Sequence, residues 1–136
     1  MPRRKQNPQS LKQTVSTAIK KIVWRVAIYI RLSKDDGNDE SYSVKNQRER
    51  LNDTLEQLML DEDGIEFVGY YIDDGFTGVD SDRDDFQRLL TDIHNGKVNC
   101  VLVKDLSRLS RNDWECKYYL QMLFVKMNVR FISLEL

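Results

Sequence analysis

The chain has 136 residues, a length typical of a single domain with a sizeable apolar core. Its composition, 40% hydrophobic and 32% charged, is that of a globular protein, and no apolar stretch is long enough to cross a bilayer. The formal net charge of −1 excludes a uniformly basic nucleic-acid binder, so any basic patch must be local.

The first 25 residues differ from the rest, because they carry seven lysines and arginines and no acid, which leaves a net charge of −8 for the remainder. Leu11, Val15 and Ile19 recur at helical spacing within this segment. We predict a basic N-terminal extension over residues 1–25, partly helical or disordered. It is either a nucleic-acid contact or a solvated tail, and the pattern does not separate the two.

The first predicted strand is Val26–Leu32, which is apolar on both faces, as in a central strand. A polar, acidic loop covers Ser33–Tyr42, and a helix starts near the N-cap Ser43. The apolar face of that helix is predicted to comprise Val44, Leu51, Leu55, Leu58 and Met59.

Strands and helices alternate along the rest of the chain. This alternation predicts an α/β fold in three layers, with a central, mostly parallel sheet of four to five strands flanked by helices. The predicted elements are a strand over Glu66–Ile72, a helix between the N-cap Asp82 and the C-terminal Gly96, a strand over Val98–Val103, a helix over Trp114–Met127 and a strand over Val129–Leu134.

In open α/β sheets the functional groups gather beyond the carboxyl ends of the strands. Ser33 follows the first predicted strand, and the loop after the second leads to Arg83. Arg108 and Arg111 follow the third. The fold is therefore expected to bring a hydroxyl and several arginines to one edge of the sheet.

Ser33 is the candidate nucleophile. The one histidine, His94, lies at a predicted helix end, which counts against a Ser-His-Asp hydrolase. Phosphoryl transfer depends mainly on positioning and on stabilising charge on the phosphate oxygens. Guanidinium groups bind such oxygens in pairs and keep their charge, so the chemistry fits Arg31, Arg83, Arg108 and Arg111.

The cysteines and acids show no metal-ligand spacing. Cys100 is predicted to be buried in a strand, and Cys116 falls in a helical stretch. We therefore expect no metal and no cofactor, and a reducing, cytoplasmic compartment.

These residues carry a resemblance to the serine site-specific recombinases of the resolvase/invertase family. Tyr29, Arg31 and Ser33 match the Tyr-x-Arg-x-Ser run that ends the first strand of that family. The other matching positions are Gln47, Asp74, Thr77 with Gly78, Asp82 with Arg83, and the run from Leu106 to Arg111 that includes Ser107 and Arg108.

The resemblance implies that Ser33 attacks double-stranded DNA, forms a 5′-phosphoserine bond and needs neither ATP nor metal. Homodimers would form a tetramer that exchanges strands, for example in the excision and integration of a transposon or other mobile element. The acidic insert Asp35–Glu40 and the N-terminal extension resemble the large, transposon-type members. Many small resolvases carry aspartate where Ser107 stands, so the general acid and base stay unassigned.

Members of the family continue into a long dimerisation helix and a DNA-binding domain. The sequence is therefore expected to hold the catalytic domain over residues 26–136 without those parts, and to be inactive by itself. One alternative is a truncated remnant that acts only by pairing with intact subunits. Another is a non-catalytic, phosphate-binding or receiver-like signalling module, based on Asp73-Asp74 after one strand and Lys104 after another.

Overall fold

The computed structural model describes residues 22–32, 44–73, 84–105, 108 and 117–135. No helix in these ranges is both long and apolar enough to span a membrane. The elements are β1 (Trp24–Arg31), α1 (Val44–Asp61), β2 (Ile65–Asp73), α2 (Asp84–His94), β3 (Cys100–Val103), a π-helix (Leu120–Val125) and β4 (Arg130–Ser133).

The predicted strands are all present, with ends that shift by one or two residues. The last predicted helix differs more. Residues 117–119 are α-helical, but the chain then widens into the π-helix and leaves helical structure after Val125. A change of hydrogen-bond register of this kind leaves no periodic signal in the sequence.

The sheet has four strands in the order β2-β1-β3-β4, and every neighbouring pair is parallel. The predicted α/β fold with a mostly parallel sheet is thus confirmed. Parallel neighbours need crossover connections, so α1 runs back between β1 and β2. The four carboxyl ends then lie at one edge of the sheet, the carboxyl edge, and the four starts lie at the opposite amino edge.

Both faces of β1 are buried, as predicted. Val26, Ile28 and Ile30 pack in one cluster with Leu51 and Leu55 of α1. On the opposite face, Ala27 and Tyr29 pack in a second cluster with three residues of α2, namely Phe86, Leu89 and Ile93. Cys100 is a free thiol buried in β3, as predicted, and burial raises its pKa to about 11.

The predicted apolar face of α1 is partly wrong. Leu51 and Leu55 are buried, but Met59 is 42% exposed. At 100° per residue Met59 lies about 80° around the helix from Leu51, at the rim of the contact with the sheet. Gln47, one turn before Leu51, is buried instead, with 2% of its surface exposed.

The amino edge is held by polar contacts between distant segments. Arg130, at the start of β4, donates two hydrogen bonds to the Glu62 carboxylate, at 2.8 and 2.7 Å. Its guanidinium also lies over the Trp24 ring, 5.4 Å from the centroid. Asn99 binds the backbone on both sides of Trp24, accepting from the Arg25 amide and donating to the Val23 carbonyl. These contacts tie the end of α1 to three strands.

Candidate active site

The carboxyl edge collects charged residues from separate parts of the chain. Arg31 is the last residue of β1, and Asp73 is the last residue of β2 and its neighbour in the parallel register. Lys104 and Asp105 follow β3 directly, and Arg108 lies three residues further on. The parallel sheet therefore produces the convergence expected from the sequence.

Arg31 and Arg108 bind each other's backbone. Nε of Arg31 donates to the carbonyl oxygen of Arg108 at 3.2 Å, and Nη1 of Arg108 donates to the carbonyl oxygen of Arg31 at 2.8 Å. Arg108 is only 4% exposed. Two of the sequence-predicted arginines, 77 positions apart, thus stand side by side.

Asp105 supplies the opposite charge to this pair. Its Oδ1 lies 3.7 Å from Nε of Arg108, and its carbonyl oxygen accepts a hydrogen bond from the Arg108 amide. The Asp105 carboxylate also accepts from Lys104 at 3.4 Å. Sequence reasoning missed Asp105, although it lies next to the Leu106–Arg111 run, because an acid beside a lysine gives no sign of facing an arginine.

Asp73, which the sequence suggested only for the receiver-like alternative, is a second acid at this edge. Its carboxylate accepts hydrogen bonds from the Tyr29 hydroxyl at 2.7 Å and from the amides of Asp85 and Phe86 at 2.9 and 3.1 Å. It is 5% exposed, and this burial raises its pKa although the hydrogen bonds act in the opposite direction. One carboxylate thus joins β1, β2 and the first turn of α2.

The sequence analysis chose Asp74 as the acid of this loop, and Asp74 lies outside the described residues. The available signal for Asp73 was its place as the last residue of the strand. There the pleat turns its side chain toward α2, and a carboxylate at a helix N-terminus is stabilised by the free amides and the helix dipole.

Gln47 has an unusual environment for a polar side chain. It lies in the first turn of α1, which the crossover places at the carboxyl edge, and it is almost wholly buried. Neither its amide oxygen nor its amide nitrogen has a hydrogen-bond partner in the part of the chain that the structure describes. Burial of an amide without partners costs about 1–3 kcal/mol, so this position is not optimised for stability.

The described residues hold four of the predicted site positions: Tyr29, Arg31, Gln47 and Arg108. Among the described ranges, no group of three or more histidine, cysteine, aspartate or glutamate side chains is placed to hold a metal ion. The other predicted positions lie outside the described residues; they are Ser33, Asp74, Thr77, Asp82, Arg83, Ser107 and Arg111.

The receiver-like alternative is based on Asp73-Asp74 together with Lys104, and the structure describes only Asp73 and Lys104 of this set. These two residues have separate partners. Lys104 lies 3.4 Å from Asp105 and 3.7 Å from Glu135, while the Asp73 carboxylate is taken up by Tyr29 and the α2 amides. The geometry therefore gives this alternative no support.

The fold and the site together define the protein as a parallel α/β domain with two arginines paired at the carboxyl edge of its sheet. The family model "Resolvase, N terminal domain" matches residues 26–136. The chain belongs to the resolvase family, and it is a serine recombinase catalytic domain.

Solved structures agree with this assignment. The N-terminal catalytic domain of TP901-1 integrase is 35% identical, with a TM-score of 0.63, over 81% of this chain and 76% of that one. A resolvase family site-specific recombinase from Streptococcus pneumoniae is 31% identical, with a TM-score of 0.63, over 82% and 72%. The catalytic domain of ISC1926 TnpA, an IS607-like serine recombinase, has the same fold at 24% identity, with a TM-score of 0.60 over 81% and 70%.

Proposed function

We propose that the domain cleaves and rejoins double-stranded DNA through Ser33. The serine oxygen forms a bond to the phosphorus of a phosphodiester, and the bond from phosphorus to the 3′ oxygen breaks. The serine loses its proton, and the departing 3′ oxygen gains one. The resulting 5′-phosphoserine ester keeps the bond energy, so the reverse attack by a 3′ hydroxyl rejoins the strand.

The contact between Arg31 and Arg108 is the observation that carries this proposal. It fixes two permanent cations at the edge of the sheet where Ser33 follows β1 by two residues. Charge develops on the phosphate oxygens during transfer, and preorganised donors stabilise it without having to reorganise. Arg83 and Arg111 complete the proposed set of cations.

Asp73 and Gln47 have different proposed roles. Asp73 is a positioning residue, because it holds the first turn of α2, and Arg83 directly precedes that helix. Gln47 has a buried amide without partners in the described residues, in the first turn of α1 at the carboxyl edge, and we propose that it binds a phosphate oxygen or the Ser33 hydroxyl. Tyr29, Asp74, Thr77, Asp82 and Ser107 are proposed to support the site.

The proposed partners are double-stranded DNA and further copies of the same protein, as homodimers that form a tetramer at synapsis. We propose a role in the excision and integration of a mobile element. The support is that one similar structure is named an integrase and another belongs to an IS607-like TnpA. We also propose that residues 1–136 alone do not exchange strands.

The test is covalent trapping on nicked DNA duplexes taken from the sequences that flank the gene. The protein with any following segments of its gene is expected to give an adduct that survives denaturation and maps to Ser33. Ser33→Ala should abolish the adduct. Ser133→Ala, at the end of β4 on the same edge, is the matched control and should keep it.

An adduct that persists in Ser33→Ala, or that maps to another residue, would contradict the assignment of the nucleophile. Strand exchange by residues 1–136 alone would contradict only the proposed inactivity of this piece.

A further inference from the structure

A second charged region lies at the amino edge, away from the arginine pair. The segment from Asp53 to Glu66 carries six acids and neither lysine nor arginine. It covers the second half of α1 and the start of β2. Glu62 is bound to Arg130, but Glu56, Asp63 and Glu66 are exposed.

Apolar side chains are exposed beside these acids. Met59 on α1 is 42% exposed, and Phe67 and Val68 on β2 are 37% and 41% exposed. Met59 lies on the same side of α1 as Arg48 and Asn52, which both contact Tyr70 of β2. Phe67 packs edge-on against that tyrosine, at 5.0 Å between ring centroids. We call Met59, Phe67 and Val68, together with Glu56 of α1 and Asp63 of the turn that follows it, the α1–β2 surface.

The basic segment enters the domain beside this surface. The Trp24 amide donates to the Gly64 carbonyl at 2.7 Å, and a Cβ on Gly64 would lie 3.0 Å from the Ile22 carbonyl oxygen. Gly64 has φ +75°, so the turn between α1 and β2 closes tightly against the chain entering β1. Residues 1–21 therefore join the described chain at Ile22, beside the turn that contains Asp63 and Gly64.

The chemistry of the two regions is complementary. Residues 1–21 carry six bases and no acid, together with Leu11, Val15 and Ile19 at intervals of four. On a helix these three side chains would lie on one face, with Lys12 beside them. Because the segment is tethered beside the surface, its effective concentration there is high, so weak individual contacts suffice for binding.

We propose that residues 1–21 bind the α1–β2 surface of the same chain. Their apolar residues cover Met59, Phe67 and Val68, and their bases face Glu56 and Asp63. The apolar contact determines where on the domain the segment binds. The opposite charges favour a basic segment over a neutral or acidic one.

The test is zero-length carbodiimide cross-linking of the full chain, which joins a lysine amine to a carboxylate with loss of water. Lys12 is the diagnostic residue, because Lys20 and Lys21 lie near the surface through chain connectivity alone. We expect links from Lys12 to Glu56 or Asp63, read by peptide mass spectrometry. An equal mixture of ¹⁵N-labelled and unlabelled chains separates links within one chain from links between two.

Matched variants separate specific binding from chance encounters. The double change Leu11→Ser with Val15→Ser should lower the Lys12 links roughly tenfold, because it removes the apolar contact but no charge. Gln13→Ser, on the other helical face, should leave them unchanged. Glu49→Lys, an exposed change nearer the start of α1, should also leave them unchanged.

If about half of the Lys12 links joined a labelled to an unlabelled peptide, as random pairing between two chains requires, a second copy would occupy the surface and the proposal would be overturned. An absence of Lys12 links to these acids would also overturn it. If DNA affinity then fell on mutation of the same bases, the segment would be a DNA-binding arm. The catalytic assignment of Ser33 is untouched by any of these results.

Discussion

The two edges of the sheet use arginine in different ways. At the amino edge, Arg130 meets the Glu62 carboxylate at 2.7 Å, so two opposite charges cancel in a half-exposed contact that joins α1 to β4. At the carboxyl edge, Arg31 and Arg108 each donate to the other's backbone carbonyl, and the Asp105 carboxylate lies 3.7 Å from Nε of Arg108. The first contact pairs opposite charges to join two segments of the fold, whereas the second brings two guanidinium groups together at the edge where the phosphate is proposed to react.

The carboxylates of Glu62 and Asp73, at the amino and carboxyl edges, differ in the direction in which their pKa values are shifted. Hydrogen bonds from Arg130 lower the pKa of Glu62. Burial raises the pKa of Asp73, whose partners are a hydroxyl and two backbone amides. The ion pair with Arg130 stabilises the charged form of Glu62. The buried Asp73 carboxylate has only neutral donors, so its charged form is less stable, and its contribution is to hold β1, β2 and α2 together.

The largest expected effect separates the two arginine sites by function. Arg31→Ala should slow DNA cleavage about 100- to 1000-fold, since one preorganised donor to a developing negative charge contributes about 2.7–4 kcal/mol. The measurement is single-turnover cleavage of a nicked duplex by the protein with any following segments of its gene. Arg130→Ala is the control, and it should lower the unfolding midpoint but keep the rate of the folded fraction. Equal rates for both variants would contradict the comparison.

The next effect concerns stability at the carboxyl edge. Asp73→Ala removes the acceptor for three donors, of which the Tyr29 hydroxyl and the Phe86 amide are buried, and should lower the free energy of unfolding by about 3 kcal/mol. Urea denaturation measures this. Asp63→Ala, in an exposed turn, should change the free energy by about 0.5 kcal/mol or less. Similar losses for the two variants would show that Asp73 does not hold α2.

Gln47 offers a test in which stability and activity move in opposite directions. Gln47→Met keeps the length of the side chain and removes a buried amide that lacks partners, so it should stabilise the fold by about 1 kcal/mol. The same change should slow cleavage if the amide binds the phosphate or Ser33. Gln57→Met, on the exposed side of α1, should change neither. A variant that is both more stable and fully active would assign Gln47 no role in the reaction.

The smallest expected effect is a difference in pH dependence. With its pKa lowered, Glu62 contributes stability above its unfolded pKa of about 4.3, and this is lost as the pH falls through the lowered value. With its pKa raised, Asp73 contributes stability below about 3.9, and this is lost as the pH rises through the raised value. The advantage of the wild type over Glu62→Gln should therefore grow with pH, and its advantage over Asp73→Asn should shrink. Thermal unfolding between pH 3 and pH 7 measures both, and slopes of the same sign would contradict the contrast.

The sequence by itself determined the order of the elements, the parallel sheet and the burial of β1 and β3. Apolar alternation, β-branched composition and helix stops such as Gly96, which has φ +77°, are local signals within a few residues. The chain order of strands and helices then implies the parallel arrangement. It also indicates that Arg31 and Arg108 approach each other, because each follows a strand of the same sheet.

Only the tertiary structure decided which polar groups meet. The bonds from Tyr29 to Asp73, between Arg31 and Arg108, and from Arg130 to Glu62 span 44, 77 and 68 positions. No window of sequence shows that Asp73 is buried, or that on α1 Gln47 is buried and Met59 is exposed. A strand end and a helix face become buried only against a neighbour, and that neighbour is supplied by the sheet order and crossovers. Local propensity sets the elements, whereas burial and hydrogen-bond partners depend on packing between segments far apart in the chain.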